Sequence, residues 1–342
     1  MNQYKIFKVK QQGRFEQQTA DIKQQLDCWL HDNQLTVGEL RYCKVFLSDI
    51  LNQYDTLKTS SLYRDCLAQH PCTIIGQAPA DGSKIALLVE AGSADHGFLF
   101  QSLRLSDDEA KGQSSYLQTL TLFEQYINSL QDSAMTIRDN LVRTWIYVAD
   151  IDVNYNGVVR ARNDVFRRYG LTADTHYVAS TGIGGYSNTR HATVAIDFLS
   201  LPGVKSDQLK YLQALDHLNP TREYGVAFER GTRLTLPDSK KYYISGTASI
   251  DKLGQVLYLG DVERQTVRLL DNISALLADG GALMSDIRYF IVYLRDFADR
   301  ATVGRYLDSH YPGIPYVLLH AKVCRSQWLV EMECIAEKNT EQ

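Results

Sequence analysis

The chain has 342 residues, with 36 basic against 40 acidic side chains, and is 44% hydrophobic and 22% charged; this balance is that of a folded globular protein and excludes disorder, collagen and a membrane span. Six cysteines without a CxxC pair are not needed as staples at this length, and without an apolar run behind the first lysines the expectation is cytoplasmic residence. A formal net charge of -4 with no basic cluster argues against a nucleic-acid surface and for a small-molecule partner.

One pattern recurs three times: an aromatic, an aliphatic, any residue, Asp, then an apolar residue. It reads Phe46-Leu47-Ser48-Asp49-Ile50, Tyr147-Val148-Ala149-Asp150-Ile151 and Tyr293-Leu294-Arg295-Asp296-Phe297. The spacings are 101 residues from Asp49 to Asp150 and 146 from Asp150 to Asp296. The same offsets carry Ile22, Leu26 and Trp29 onto Phe123, Ile127 and Leu130, then onto Leu269, Ile273 and Leu276. Each triad has the i, i+4, i+7 spacing of a helix face, so two independent elements share one register.

In chain order, the first unit is expected to hold a strand at 4–9, the helix bearing Ile22, a strand at 43–47, a helix at 54–66 and strands at 73–75 and 84–89. The second holds 98–105, the helix bearing Phe123, a strand at 143–148, a helix at 156–169 and strands at 177–180 and 192–199. The third opens with strands at 242–250 and 255–259, then the helix bearing Leu269, a strand at 288–294, a helix at 301–310 and strands at 316–321 and 328–336. Each repeat reads β(β)αβαββ, an α+β unit whose sheet carries both helices on one face. The boundaries are residues 1–92, 93–204 and 242–342, joined by a segment at 205–241. The stretch 201–241 holds the turn formers Pro202-Gly203, Asn219-Pro220, Tyr224-Gly225 and Pro237-Asp238. Its length suits a functional loop, and composition alone leaves a plain linker open.

The third repeat, from Ile244-Ser245-Gly246-Thr247-Ala248-Ser249 through Glu331-Met332-Glu333-Cys334-Ile335-Ala336, resembles the YjgF/Rid superfamily, also called endoribonuclease L-PSP. The resemblance is strongest over 224–336, clear in the second repeat and faint in the first. It implies a chorismate-mutase-like unit, and three tandem copies imply a single-chain pseudo-trimer with ligand sites in clefts between repeats. The arginine that imine-deaminating members place before the penultimate strand falls here on Pro315, which argues against deamination in the usual way. The glutamate opposite that arginine is kept as Glu331.

The chorismatases, relatives that hydrolyse the enolpyruvyl ether of chorismate, match further segments: Arg222-Glu223-Tyr224-Gly225, Phe228-Glu229-Arg230, Cys324-Arg325 seven residues before Glu331, and Arg160-Ala161-Arg162. The segment from Gly225 through Val226-Ala227-Phe228 lacks the proline-rich stretch of those enzymes, which leaves room for another substrate. The resemblance implies Glu331 as proton donor, Arg230, Arg222, Arg160 and Arg162 as carboxylate clamps, Tyr224 as an orienting hydroxyl, Ala248 at the pocket floor and Cys324 steering the product toward a hydroxybenzoate. A Rid-type imine or enamine deaminase and a non-catalytic carboxylate-binding scaffold are the alternatives.

The residues bear separate readings beside the resemblance. Protonating an enol ether at carbon needs a carboxylic acid that stays neutral near pH 7, which burial achieves. Strand alternation puts Glu331 and Glu333 on one face and Val330 and Met332 on the other, and without the resemblance both glutamates are read as facing solvent. Arginine clamps carboxylates with paired hydrogen bonds, yet each arginine alone reads as a surface side chain. Cys324 reads as a small buried hydrophobe, or as a thiol whose pKa Arg325 lowers. The run Gly182-Ile183-Gly184-Gly185 lacks the strand–turn–helix setting of a dinucleotide site, and the histidines form no HxH or HxxxH pair. No cofactor and no metal are expected, and the protein is expected to be a monomeric pseudo-trimer or a low-order homo-oligomer.

Overall fold

The structure, a computed structural model, describes residues 2–340, with the side chains of Asp132, Arg222 and Tyr224 outside the description. The first repeat comprises β1 (Gln3–Lys8), α1 (Phe15–Asp32), β2 (Leu40–Leu47), α2 (Ile50–Thr59), β3 (Cys72–Gly76), β4 (Ala78–Pro79) and β5 (Ile85–Ala91). The second comprises β6 (Leu99–Leu103), the short α3 (Asp107–Ala110), α4 (Ser115–Ser129), the short α5 (Ile137–Asn140), β7 (Leu141–Val148), α6 (Ile151–Arg168), β8 (Ala179–Gly184) and β9 (Val194–Ser200). Then follow β10 (Leu209–Tyr211), β11 (Gly231–Thr235), β12 (Ser239–Ala248), α7 (Val262–Gly280), β13 (Ile287–Leu294), α8 (Arg300–His310), β14 (Tyr316–His320) and β15 (Val330–Asn339).

One strand order appears in all three sheets: β1-β5-β2-β3, β6-β9-β7-β8 and β12-β15-β13-β14. The inner two strands are antiparallel and the last pair is parallel each time. A register shift recurs at the start of each second strand, between Leu40 and Tyr42, Leu141 and Arg143, and Ile287 and Tyr289. Bulges are placed features rather than accidents, and one at the same position three times fixes the structural correspondence. The repeated Asp49, Asp150 and Asp296 each precede a helical element at the N-cap, and of the three the Asp296 side chain accepts from the N–H of Ala298.

The expected helix faces hold the cores. Ile22, Leu26, Phe123, Leu130, Leu269, Ile273 and Leu276 are buried, with Trp29 and Ile127 packed at the edges. Both helices of a repeat lie on one face of its sheet, and the opposite faces meet in the centre of the molecule. There Thr73 of β3 donates to Asp197 of β9 at 2.6 Å, Arg143 of β7 donates to Glu333 of β15 at 2.7 Å, and Tyr4 of β1 donates to Glu337 of β15 at 2.7 Å. Three repeats thus close around one shared polar interior.

Three local expectations need correction. The segment 255–259 is not a strand, having only an isolated bridge from Ile250 to Val256; Gly254, Tyr258 and Gly260 adopt φ of 77°, 59° and 74° there, which breaks an extended run despite its Val, Leu and Tyr. The helix expected at 54–66 is two pieces, α2 and a π-helical turn at Leu62–Leu67. The segment between the second and third repeats contributes β10 and β11, which extend the third sheet beyond β12, while β4 caps its far edge beside β14.

Candidate active site

The side chains gather in the cleft between the second and third repeats, around a cavity of about 180 Å³. β15 carries Glu331 into it, β12 supplies Gly246 and Ala248, β8 supplies Ser180 and Gly182, and α6 supplies Tyr155 and Arg162. The loop before β15 adds Cys324, Arg325 and Trp328, and the segment before β11 adds Phe228 and Arg230. Every wall therefore comes from a different element, and the segment expected as linker or functional loop reaches the cavity.

Glu331 is 4% exposed and Glu333 is 3% exposed, so neither faces solvent. The strand is buried on both sides, since Val330 and Met332 pack among the core residues. The two glutamates live in opposite electrostatic settings. Burial, reinforced by the neighbouring charge of Glu333 and only partly offset by Arg230, pushes the Glu331 carboxyl up to about 8. Burial also disfavours the charge of Glu333, but Lys44, Arg143 and hydrogen bonds from Thr181 and Tyr293 outweigh it and hold that carboxyl below its ordinary value. Glu333 accepts from Arg143 at 2.7 Å, from the Trp145 indole and the Tyr293 hydroxyl at 3.1 Å each, and from the Thr181 hydroxyl. Two carboxyls two residues apart thus take different protonation states near neutral pH, the arrangement that separates an acid from a fixed charge.

Gly246 makes room for the acid, because a Cβ there would collide with the Glu331 carboxyl. Its N–H donates to Thr181 Oγ1 at 3.0 Å, and Thr181 in turn donates to Glu333. Gly246→Ala should displace the Glu331 carboxyl and change its titration while lowering the melting temperature only slightly, because a side-chain end yields more easily than backbone. An unchanged titration of Glu331 in that variant would contradict this contact.

Two guanidinium groups flank one ring: Arg162 and Arg230 lie 5.8 and 5.4 Å from the centroid of Phe228. Both are nearly buried, and Arg230 also donates to Asn219 O and Oδ1 at 3.2 and 3.3 Å. Arg325 stacks on Trp328 at 4.7 Å, whose indole donates to Ser249 O at 3.0 Å. The cavity is therefore cationic on one wall, aromatic on another and acidic at its floor, which suits a planar anion.

Of the sequence-expected residues, the fold assembles Glu331, Cys324, Arg230, Arg162 and Ala248 around the cavity. Arg160 stands apart: it is exposed, with its guanidinium 5.4 Å from the Tyr116 ring. Positions two apart on a helix point to nearly opposite sides, so Arg162 and Arg160 cannot share the cavity. The backbones of Arg222 and Tyr224 lie in a short helical turn at Thr221–Tyr224, and their side chains lie outside the described residues. Tyr155 was missed, although its i, i+7 relation to Arg162 on α6 is a readable signal.

Cys324 departs from the activated-thiol expectation. Burial and the charge of Glu331 push its thiol up to about 12, and Arg325 with the Tyr155 hydrogen bond pulls the other way without prevailing. A neutral thiol is a poor nucleophile. Iodoacetamide at pH 8 should modify the exposed Cys28 in the native protein and leave Cys324 unmodified; equal labelling of both, read by mass spectrometry, would contradict this environment.

Glu331 pairs with Tyr293, and the equivalent partners of Tyr147 and Phe46 are Ala195 and Ala86. The acid is thus present in one of three equivalent places. Likewise Pro71, Ala179 and Pro315 stand at one equivalent position before or at the third strand of each sheet, and none is an arginine. Among the described residues no group of three His, Cys, Asp or Glu is arranged to hold a metal ion, and no helix is long and apolar enough to cross a membrane.

The endoribonuclease L-PSP family model matches residues 238–338. A RutC family protein of Pyrococcus abyssi is 31% identical over 98 residues, which cover 28% of this chain and 77% of that one. The chain belongs to the YjgF/Rid, or endoribonuclease L-PSP, family. A second relative, the 3-aminoacrylate deaminase RutC of Acinetobacter baylyi, is 29% identical over 70 residues, 20% of this chain and 56% of that one. Both alignments are shorter than a third of the chain, as expected when one Rid unit is compared with three. Over the whole length, a chorismatase crystal structure superposes with a TM-score of 0.67 and 18% identity, covering 98% of each chain. At that identity the likeness shows the fold, a multi-repeat α+β Rid architecture.

Proposed function

We propose that this chain cleaves the enolpyruvyl ether of chorismate or of a related small carboxylic acid, releasing pyruvate and a hydroxybenzoate, with Glu331 as proton donor. The reading rests on one observation above the rest: a carboxyl pushed up to about 8 at the floor of a cavity walled by Arg162, Arg230 and Arg325. The whole-chain likeness to a chorismatase supports the same direction.

The chemistry follows from the protonation states. Neutral Glu331 transfers its proton to the enol methylene carbon, leaving an oxocarbenium ion at the ether carbon and a carboxylate that stabilises it. Water adds to that carbon and returns a proton to the carboxylate. The hemiketal then breaks its bond to the ring oxygen, giving pyruvate and a cyclohexadiene diol, and loss of water from the diol yields the hydroxybenzoate. Arg230 and Arg162 hold the substrate carboxylates, Arg222 and Tyr224 stay in the reading as further substrate contacts, and Arg160, exposed beside Tyr116, takes no part. Cys324 stays a neutral thiol beside the ring and acts through shape and a weak hydrogen bond. No cofactor enters this scheme.

Purified protein incubated with chorismate should release pyruvate in a coupled assay, with a ring product of hydroxybenzoate mass. The rate should hold steady below pH 8 and decline above it, because the acid is consumed as Glu331 ionises. No pyruvate at any pH would remove the reading.

A second reading is a Rid-type enamine deaminase, favoured by the relation of the chain to a protein named as a 3-aminoacrylate deaminase. The same acid would protonate the enamine carbon, and ammonia release from a 2-aminoacrylate source, with no pyruvate from chorismate, would select it. Binding of carboxylic acids with neither product would leave a non-catalytic scaffold.

A further inference from the structure

Away from the Glu331 cleft, the three repeats enclose a second cavity of about 350 Å³, and the two cavities share no lining residue. Its walls are drawn from equivalent positions of the three sheets. Glu90, Leu199 and Ile335 pair with Tyr42, Arg143 and Tyr289 just beyond the repeated bulge, and all three line the cavity. Their neighbours on the other side are Tyr4, Phe100 and Tyr243. Two positions earlier stand Asn2, Phe98 and Lys241, again all in the lining. The cavity therefore sits where the pseudo-threefold axis leaves the molecule.

In a trimer of identical chains such a site would repeat each side chain three times. Here the repeats have diverged at these axial positions, leaving one carboxylate, Glu90, and one ammonium, Lys241, while Arg41, His70, Asp95 and His96 line the cavity around them. Glu90 is 6% exposed and Lys241 is 4% exposed, and they form an ion pair. Asn2 Nδ2 donates to Glu90 Oε1 at 2.6 Å, and the Lys241 ammonium lies 5.6 and 5.7 Å from the ring centroids of Tyr4 and Tyr243. Beside them Tyr42 stacks on Trp145 at 6.2 Å and meets the edge of Phe100 at 5.2 Å. A buried ion pair adds little stability over apolar residues of the same size, so its retention against open space rather than packed protein needs another reason. A volume of this size bounded by rings with a few charged groups is the form of a small-molecule site.

We propose that this axial cavity binds a small zwitterion with a ring-sized apolar body, its ammonium on Glu90, its carboxylate on Lys241 and its body against Tyr42, Phe100 and Trp145. The site is independent of the reaction at Glu331 and holds one ligand per chain.

L-Phenylalanine serves as the probe, with phenethylamine and 3-phenylpropionate as analogues carrying one charge each. Calorimetric titration of the full chain should give saturable binding of L-phenylalanine at one per chain, at least tenfold tighter than either analogue. Replacing both partners together, Glu90→Gln with Lys241→Met, should weaken it at least tenfold, and Leu199→Trp, which fills the cavity and leaves the ion pair, should abolish it. Glu331→Gln should leave it unchanged, which separates this site from the other cleft. Absence of L-phenylalanine binding to the unmodified chain, or equal affinity in the Leu199→Trp variant, overturns the proposal.

Discussion

Glu331→Gln is expected to lower turnover of the enolpyruvyl substrate by about 10²–10⁴-fold, the range for loss of a positioned general acid. Glutamine keeps the volume and the neutral charge that Glu331 carries below pH 8, so substrate affinity should change little and the loss should fall on kcat. The same substitution should stabilise the fold. A carboxyl raised to about 8 in the folded chain against about 4.3 in the unfolded one binds more protons when folded across that window. Its favourable contribution is complete below pH 4 and is lost as pH rises through 8. The glutamine variant escapes that loss, and its melting temperature should exceed that of the parent chain above pH 7 with a difference that widens until about pH 8. A site that pays in stability for function is the usual pattern for a strained or desolvated acid. Equal turnover in the variant, or a melting temperature lower at every pH, would contradict the assignment.

The second large effect belongs to Glu333. Its partners Arg143 and Lys44 come from the second and first repeats and are each about 1% exposed. Lys44 sits 3.7 Å from Glu333 Oε1, with its ammonium 5.1–5.7 Å from the rings of Tyr147, Phe46 and Trp145. Glu333→Gln leaves both cations without the carboxylate that offsets their burial, and breaking a buried pair in this way costs about 3–5 kcal/mol. That is a large share of the roughly 5–15 kcal/mol that holds a typical domain together. Chemical denaturation should register the loss, and adding Lys44→Met to the same chain should recover part of it. The held charge of Glu333 also contributes to the raised pKa of Glu331, so any folded Glu333→Gln protein should lose its activity at a lower pH than the parent. Because the Glu333 carboxyl is held below its ordinary value, the stability it supplies is present above about pH 4.3 and disappears as pH falls through its folded value.

Much of the fold was legible because two signals, the Phe46/Tyr147/Tyr293 strand ends and the Ile22/Phe123/Leu269 helix faces, repeat with one pair of offsets. Local periodicity carries that information. What it does not carry is which repeat faces which: the Arg143–Glu333 contact spans 190 residues, and Glu331 shares its cavity with Ser180 and Gly182 of another sheet. β11 was hidden for a related reason, since Gly231-Thr232-Arg233-Leu234-Thr235 becomes a strand only by pairing with the edge of β12. The Arg160-Ala161-Arg162 motif named the right helix, and only helix geometry divides its two arginines between solvent and cavity. The Glu331 acid was legible as a neutral proton donor only through the resemblance, since strand alternation alone reads both glutamates toward solvent, and the part of its raised pKa that comes from the charge of Glu333 was not legible.

The most direct measurement is the ionisation of Glu331 itself, followed by infrared difference spectroscopy of the carboxyl band against Glu331→Gln from pH 5 to 10. A protonated carboxyl that persists through pH 7 and titrates near pH 8 is the predicted result. A band already in the carboxylate form at pH 6 would contradict a neutral acid in this cleft and remove the basis for proton donation from it.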